Sequence, residues 1–310
     1  MLFTDSHTEG EPTRVLISDA HRSRALAALL DDWKDASGSC NPPASLRTLV
    51  ANPRAPEACV GALLCRPNSQ AADFGVFFFN AQAALGMCGH GAIGVGKTID
   101  QFGGMPTGVI RLETRAGIVE VRREHGGAYS FENVPASVLA SGVEVELGDR
   151  RVRGEVVYGG NEFFLLEEAR PMRSVDAELR FTRSIRDALA KQGVRGRGGP
   201  IDHVALFLQP ARSDAQERSF VLCPNDTYDR SPCGTGSSAR LAVLASQGRL
   251  RAETPHAIES AIGSRFSTSY RDAPSNSVIV RIEGRAWITA GGALEEQEDP
   301  AQVHGWTETD

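Results

Sequence analysis

One short pattern occurs twice and limits what this chain can become. LGMCGHGAIGVGKTI around Cys88 and RSPCGTGSSARLAVLA around Cys233 both read Cys-Gly-x-Gly followed by small residues. The two cysteines stand apart by nearly half of the 310 residues. A repeat at that spacing predicts a duplicated chain, with two equivalent helix starts facing each other across a cleft. A chain of this length can bury a core in each half.

Between the two segments the pattern is mostly that of strands. Leu26, Leu29, Leu30 and Trp33 share one helical face and predict a surface helix over 20–34, while 40–56 is rich in Pro, Asn and Ser and reads as a loop. Gly75–Phe79 reads as a buried strand, and 109–124 as a hairpin turning at Arg115, Ala116 and Gly117. In the second half GEVVYGG, EFFLLEE, HVALFLQ and SFVLC predict strands, 177–192 a helix, and SVIVRIEGRAWIT a final strand pair. Short strands with few helices fit a mixed α+β class better than a doubly wound parallel sheet.

The small residues after each cysteine predict a tightly packed central helix, so Cys88 and Cys233 each fall at a helix amino terminus. Unpaired N–H groups and the helix dipole favour negative charge there. Two consequences are expected. Each thiol is pushed toward thiolate and becomes a base near neutrality. The N–H groups of Gly89, His90, Gly234 and Thr235 can bind a substrate carboxylate, glycine letting the backbone come close. Two such ends around one carboxylate hold an α-carbon between two sulfurs, one removing the proton and the other delivering one to the opposite face. The charge that develops is drawn toward the carboxylate, where both helix ends point, so no electron-sink cofactor is expected.

Other readings of these segments meet contextual objections. Gly91–Thr98 fits the phosphate-loop pattern G-x-x-x-x-G-K-T, and Gly89, Gly91 and Gly94 fit G-x-G-x-x-G with Glu113 beyond. Both patterns should follow their strand directly, yet the strand candidate ends at Phe79. Cys88, His90, His203 and Cys233 lack paired metal-ligand spacing, so no metal is expected. A Cys-His hydrolase is disfavoured because a histidine two residues after its cysteine on a helix faces away from it.

A net charge of −6 argues against nucleic acid as a partner, and no segment approaches a membrane span. The opening MLFTDSHTEG lacks the basic and apolar regions of a secretory signal. Six cysteines, Cys40, Cys59, Cys65, Cys88, Cys223 and Cys233, form no C-x-x-C pair or regular framework. Reduced thiols and a cytoplasmic location are expected.

At these residues the chain closely resembles the proline racemase family, and within it the 4-hydroxyproline epimerases. The resemblance is carried by DSHTEGEPTRV at Asp5–Val15, MCGHGAIGVG at Met87–Gly96, GGNEFF at Gly159–Phe164, DHVALF at Asp202–Phe207 and DRSPCGTGSSARLA at Asp229–Ala242. It implies two similar domains of the diaminopimelate epimerase-like kind, each a central helix wrapped by a mostly antiparallel sheet, with the active site between them. The first would be 1–125 with 290–310 returning to it, and the second 126–289. Cys88 and Cys233 match the catalytic cysteines, and Gly89, His90, Gly234 and Thr235 the helix-end contacts. His203 and Asp229 match the remaining substrate-contacting positions, Asp229 suiting a secondary ammonium.

The implied activity is cofactor-independent epimerisation of trans-4-hydroxy-L-proline to cis-4-hydroxy-D-proline by two thiols, with proline racemisation as the alternative, trans-3-hydroxy-L-proline dehydration a less favoured one, and a non-catalytic imino-acid-binding protein as the reading outside the enzymes. A small-molecule substrate, hydroxyproline or proline, is the expected partner, and a homodimer is compatible with the resemblance. Relatives that dehydrate trans-3-hydroxyproline generally carry Thr where this chain has Cys233, so the second cysteine favours inversion. The chain departs from the family at Ala81-Gln82-Ala83-Ala84, Ala92 and Ser237, where trimmed side chains would enlarge the substrate pocket.

Overall fold

The computed structural model describes residues 1–17 and 44–294, apart from 57, 198 and 202. The predicted helix at 20–34, Cys40, most of 290–310 and Asp202 lie outside the described residues, as does part of the predicted loop at 40–56. The chain divides into two units, Met1–Tyr129 with Ala286–Asp310, and Ser130–Arg285.

In the first unit, β1 (Leu2–Thr8) and β2 (Glu11–Ile17) form a hairpin around Gly10, whose φ of 95° suits glycine. β2 runs parallel to β3 (Val60–Cys65), which pairs antiparallel with β4 (Phe74–Phe79). A two-residue strand β5 (Ala84–Leu85) lies on β4. β4 continues parallel to β6 (Val109–Thr114), which turns back as β7 (Gly117–Arg123). Gly117, at φ 127°, closes the hairpin at the predicted residues.

The second unit repeats this order. β8 (Ala128–Glu132) leads into it, and β9 (Ser137–Leu147) pairs with β10 (Arg150–Tyr158). β10 and β11 (Glu162–Pro171) form the hairpin, and β11 runs parallel to β12 (His203–Gln209). β12 pairs antiparallel with β13 (Glu217–Leu222), β13 runs parallel to β14 (His256–Glu259), and β14 pairs antiparallel with β15 (Arg265–Ala273). Each unit is therefore hairpin, parallel join, hairpin, parallel join, hairpin. The mostly antiparallel expectation holds, with two parallel joins in each unit.

SVIVRIEGRAWIT does not form a strand pair. It lies in one strand, β16 (Ser277–Ala293), which runs through a buried Gly284 without turning. Ser277–Glu283 pairs with β15, and Ala286–Ala293 with β1. Alternation of buried and partly exposed residues is unbroken from Ser277 to Gly284, so the pleat leaves no place for a turn.

Four α-helices lie among the described residues: α1 (Ala44–Arg47), α2 (Gly89–Gln101), α3 (Val175–Lys191) and α4 (Gly234–Ser246). α3 is amphipathic. The Ser174 hydroxyl caps it by accepting from Ala177 N–H at 3.2 Å, and Phe181, Ile185 and Leu189 enter the core of the second unit.

α2 and α4 differ from it because they are buried on every side over their first ten residues or so. Small side chains make that possible. A methyl group on Gly94 would lie 2.9 Å from Ser6 Oγ, and one on Gly96 2.7 Å from Val121 Cγ1, so β1 and β7 close directly on the helix backbone. Ala92 and Ser237 are likewise fully buried within these helices and fill core rather than open space.

Candidate active site

Both cysteines are helix N-caps. Cys88 caps α2 in an extended conformation (φ −140°, ψ 112°), and its carbonyl accepts from Ala92 N–H at 2.9 Å. Cys233 caps α4, and its carbonyl accepts from Ser237 N–H at 2.8 Å. The second glycine of each Cys-Gly-x-Gly lies under the sulfur. A methyl group on Gly91 would stand 3.1 Å from Cys88 Sγ and 2.8 Å from the Phe78 ring, and one on Gly236 3.2 Å from Cys233 Sγ. The repeated pattern is thus a local build in which the thiol folds over the first helical turn.

In the first unit His90 turns toward Cys88. Its ring nitrogens lie 3.5 and 3.6 Å from Sγ, and Thr8 Oγ1 donates to the His90 carbonyl at 2.8 Å, tying the end of β1 to the first turn of α2. The expectation that a histidine at this spacing faces away is therefore wrong. It assumed both residues were helical, whereas Cys88 is an extended cap and its side chain escapes the helical spacing. Cys88 and His90 are both nearly buried.

In the second unit Cys233 adopts φ 66°, a left-handed conformation that a residue with a Cβ rarely holds and that costs on the order of 1–3 kcal/mol. Its N–H donates to Ser231 Oγ at 3.3 Å, and its sulfur accepts from Gly236 N–H at 3.3 Å, with Thr235 Oγ1 3.5 Å away. Asp229 is positioned by its N–H to the Val221 carbonyl, and its Oδ1 accepts from Cys223 Sγ at 3.2 Å.

The Cys233 thiol is pushed well above its ordinary pKa, first by burial, then by the charge of Asp229 and a hydrogen bond to it. Thr235 and the Gly236 N–H act the other way and are outweighed. This corrects the expected shift toward thiolate: at Cys233, desolvation and the neighbouring carboxylate overcome the helix end.

His203 opens β12 beside Phe163 of β11, their rings 4.8 Å apart, and is almost fully buried. Gly89 and His90 form the first turn of α2, and Gly234 and Thr235 that of α4. Cys88, Gly89 and His90 are thus together in the first unit, and Cys233, Gly234, Thr235 and Asp229 in the second.

Reading the sequence missed the supports of these groups. Thr8 holds α2. The loop 159–161 lies on the first turn of α4, where a methyl group on Gly159 would stand 2.3 Å from the Thr235 carbonyl. Asn133 Nδ2 donates to both the Gly159 carbonyl and Ser238 Oγ at 2.8 Å. Only the adjacent glycines of Gly159-Gly160-Asn161 signal such a close approach.

Gly91–Thr98 is entirely helical, so its backbone does not form a phosphate cradle, and Thr98 Oγ1 donates to the Gly94 carbonyl at 2.9 Å. A cavity of about 340 Å³ in the second unit is lined by Glu167, Glu217, Arg240, Arg249 and His256. Its charges are paired with one another: Arg240 meets Glu167 and Glu217, Arg249 meets Glu167, and His256 meets Glu217. Burial raises the pKa of another thiol, Cys59, to about 12, which marks it as a core group.

The proline racemase family profile matches residues 3–306. The chain is 42% identical to a 4-hydroxyproline 2-epimerase from Burkholderia thailandensis, over 97% of this chain and 96% of that relative. It is 40% identical to one from Pseudomonas aeruginosa, over 94% and 93%. Among solved structures, a hydroxyproline epimerase from Agrobacterium vitis with bound trans-4-hydroxy-L-proline superposes with a TM-score of 0.79 at 22% identity, covering 100% of this chain and 96% of that one. A PhzF-family phenazine biosynthesis protein from Bacillus anthracis gives 0.68 at 12% identity, over 96% and 99%. These two likenesses speak for the fold, and the matches across nearly the whole length place this chain in the proline racemase family.

Proposed function

We propose that the protein epimerises trans-4-hydroxy-L-proline to cis-4-hydroxy-D-proline without a cofactor, with Cys88 and Cys233 as the paired base and acid. The observation that carries this reading is that the two buried central helices are both capped by a cysteine built over a glycine. The substrate is supported by relatives named 4-hydroxyproline 2-epimerase at 40–42% identity. The two units are read as the two epimerase-like domains, drawn from sequence at 1–125 with 290–310 and at 126–289, of diaminopimelate epimerase type. The protein is read as cytoplasmic.

In this reading the first-turn N–H groups at Gly89, His90, Gly234 and Thr235 hold the substrate carboxylate. Asp229 takes the secondary ammonium and His203 lies against the ring. A thiolate takes the α-proton, so the Cα–H electron pair moves toward the carboxylate, and the opposite thiol returns a proton to the other face. Each cysteine then holds the protonation state the other began with. The raised Cys233 thiol suits the acid role in the resting protein. An ammonium bound at Asp229 neutralises a charge that keeps that thiol protonated, which eases its ionisation for the reverse direction.

The test is turnover by Cys88→Ser and Cys233→Ser with each hydroxyproline epimer, followed by chiral separation. Both variants should lose turnover in both directions. Near-normal turnover in either variant excludes the two-thiol mechanism, and turnover of proline in preference to hydroxyproline would reassign the substrate.

A further inference from the structure

Thr235 Oγ1 has two polar neighbours among the described residues, Asn161 Nδ2 at 3.2 Å and Cys233 Sγ at 3.5 Å. An amide NH₂ can only donate, and a hydroxyl has one hydrogen. With Asn161 donating to the hydroxyl oxygen, the Thr235 hydrogen is left to point at the sulfur. We propose that Asn161 is a positioning residue for proton transfer at Cys233: its amide orients the Thr235 hydroxyl so that the hydroxyl donates to the Cys233 sulfur.

Asn161 acts from a fixed place. Gly160, at φ 109°, leaves 2.9 Å for an added methyl before Thr235 Cγ2, and the Asn133 amide pins the Gly159 carbonyl to the same helix through Ser238. The loop cannot shift along α4 without breaking this clamp. Together with the Gly236 N–H, the directed hydroxyl gives the buried sulfur two donors, which stabilise a thiolate far more than a neutral thiol. Asn161 therefore acts through Thr235, and the cost of ionising a buried sulfur depends on it. The inference rests on reading Cys233 as a reacting thiol.

The experiment measures the pH dependence of iodoacetamide alkylation at Cys233 in the full chain, read by peptide mass spectrometry. Asn161→Ala should move the midpoint upward by about one pH unit, the scale of one hydrogen bond to a charged group. Thr235→Val should move it at least as far, and adding Asn161→Ala to Thr235→Val should move it no further. An unchanged midpoint in Asn161→Ala, or an equal shift in both backgrounds, overturns the proposal. So does an unchanged midpoint in Thr235→Val, which keeps the sequence of the 159–161 loop and its hydrogen bond to Asn133 and decides the matter even if Asn161→Ala fails to fold. Alkylation needs no turnover, so absence of hydroxyproline epimerisation would remove the substrate reading while these midpoints still decide the role of Asn161.

Discussion

Gly91 lies beneath the sulfur of Cys88, so that a methyl group on it would stand 3.1 Å from Sγ. Gly236 stands in the same relation to Cys233, at 3.2 Å. Alanine at either position gains up to about 1 kcal/mol of helix propensity and must push the thiol aside. Displacement of a reacting atom by a fraction of an ångström is enough to slow chemistry strongly. Gly91→Ala and Gly236→Ala should each lower kcat by about tenfold or more, the larger loss being in Gly91→Ala, where the Phe78 ring at 2.8 Å blocks retreat. Chiral assay alongside thermal unfolding checks this, and an unchanged kcat would mean that the thiol position does not matter.

Glu178 makes the stability of the second unit depend on acid. Its side chain is fully buried and meets the guanidinium groups of Arg170 and Arg173, which hold its pKa at about 2 against an ordinary 4.5 despite the opposing effect of burial. Because the folded value is depressed, the stabilisation is fully present above pH 4.5 and is lost as pH falls toward 2. Glu178→Gln should therefore cost on the order of 2–3 kcal/mol at pH 7 and much less near pH 3, allowing for the exposure of the arginines. Denaturant midpoints of the two proteins across that range would test it, a gap independent of pH being the contrary result.

Arg240 is the largest fully buried side chain among the described residues, held between Glu217 and Glu167 and over the Phe207 ring at 5.0 Å. Arg240→Met takes the guanidinium from the Glu217 carboxylate, which keeps its contact with His256, and should destabilise by about 2 kcal/mol. Adding Glu217→Gln removes the carboxylate charge that has lost its guanidinium, so the double variant should recover part of that loss in urea unfolding. Additive losses would show that the pair is not coupled.

Much of this build was legible in the chain. The hairpin at Arg115–Gly117 was fixed by turn chemistry, since only a glycine takes φ 127° readily, and the two central helices by their runs of small residues. What escaped depended on contacts distant in sequence or on a single cap conformation. His90 reaches Cys88 because the cap is extended, which spacing alone does not reveal. The raised Cys233 thiol follows from burial and from Asp229, neither visible as a local property of a helix start. Asn161 reaches Thr235 across 74 residues of sequence. SVIVRIEGRAWIT reads as a strand pair, yet it lies in one strand with Gly284 buried within it, because strands are continued by their partners as much as by their own residues.

The most direct test of the central claim is to incubate the protein with trans-4-hydroxy-L-proline in D₂O and follow the α-proton by NMR together with the configuration of the product. The account predicts that the α-proton is replaced by deuterium as cis-4-hydroxy-D-proline appears, with no added cofactor. Retention of the α-proton in both the remaining substrate and any product would contradict it.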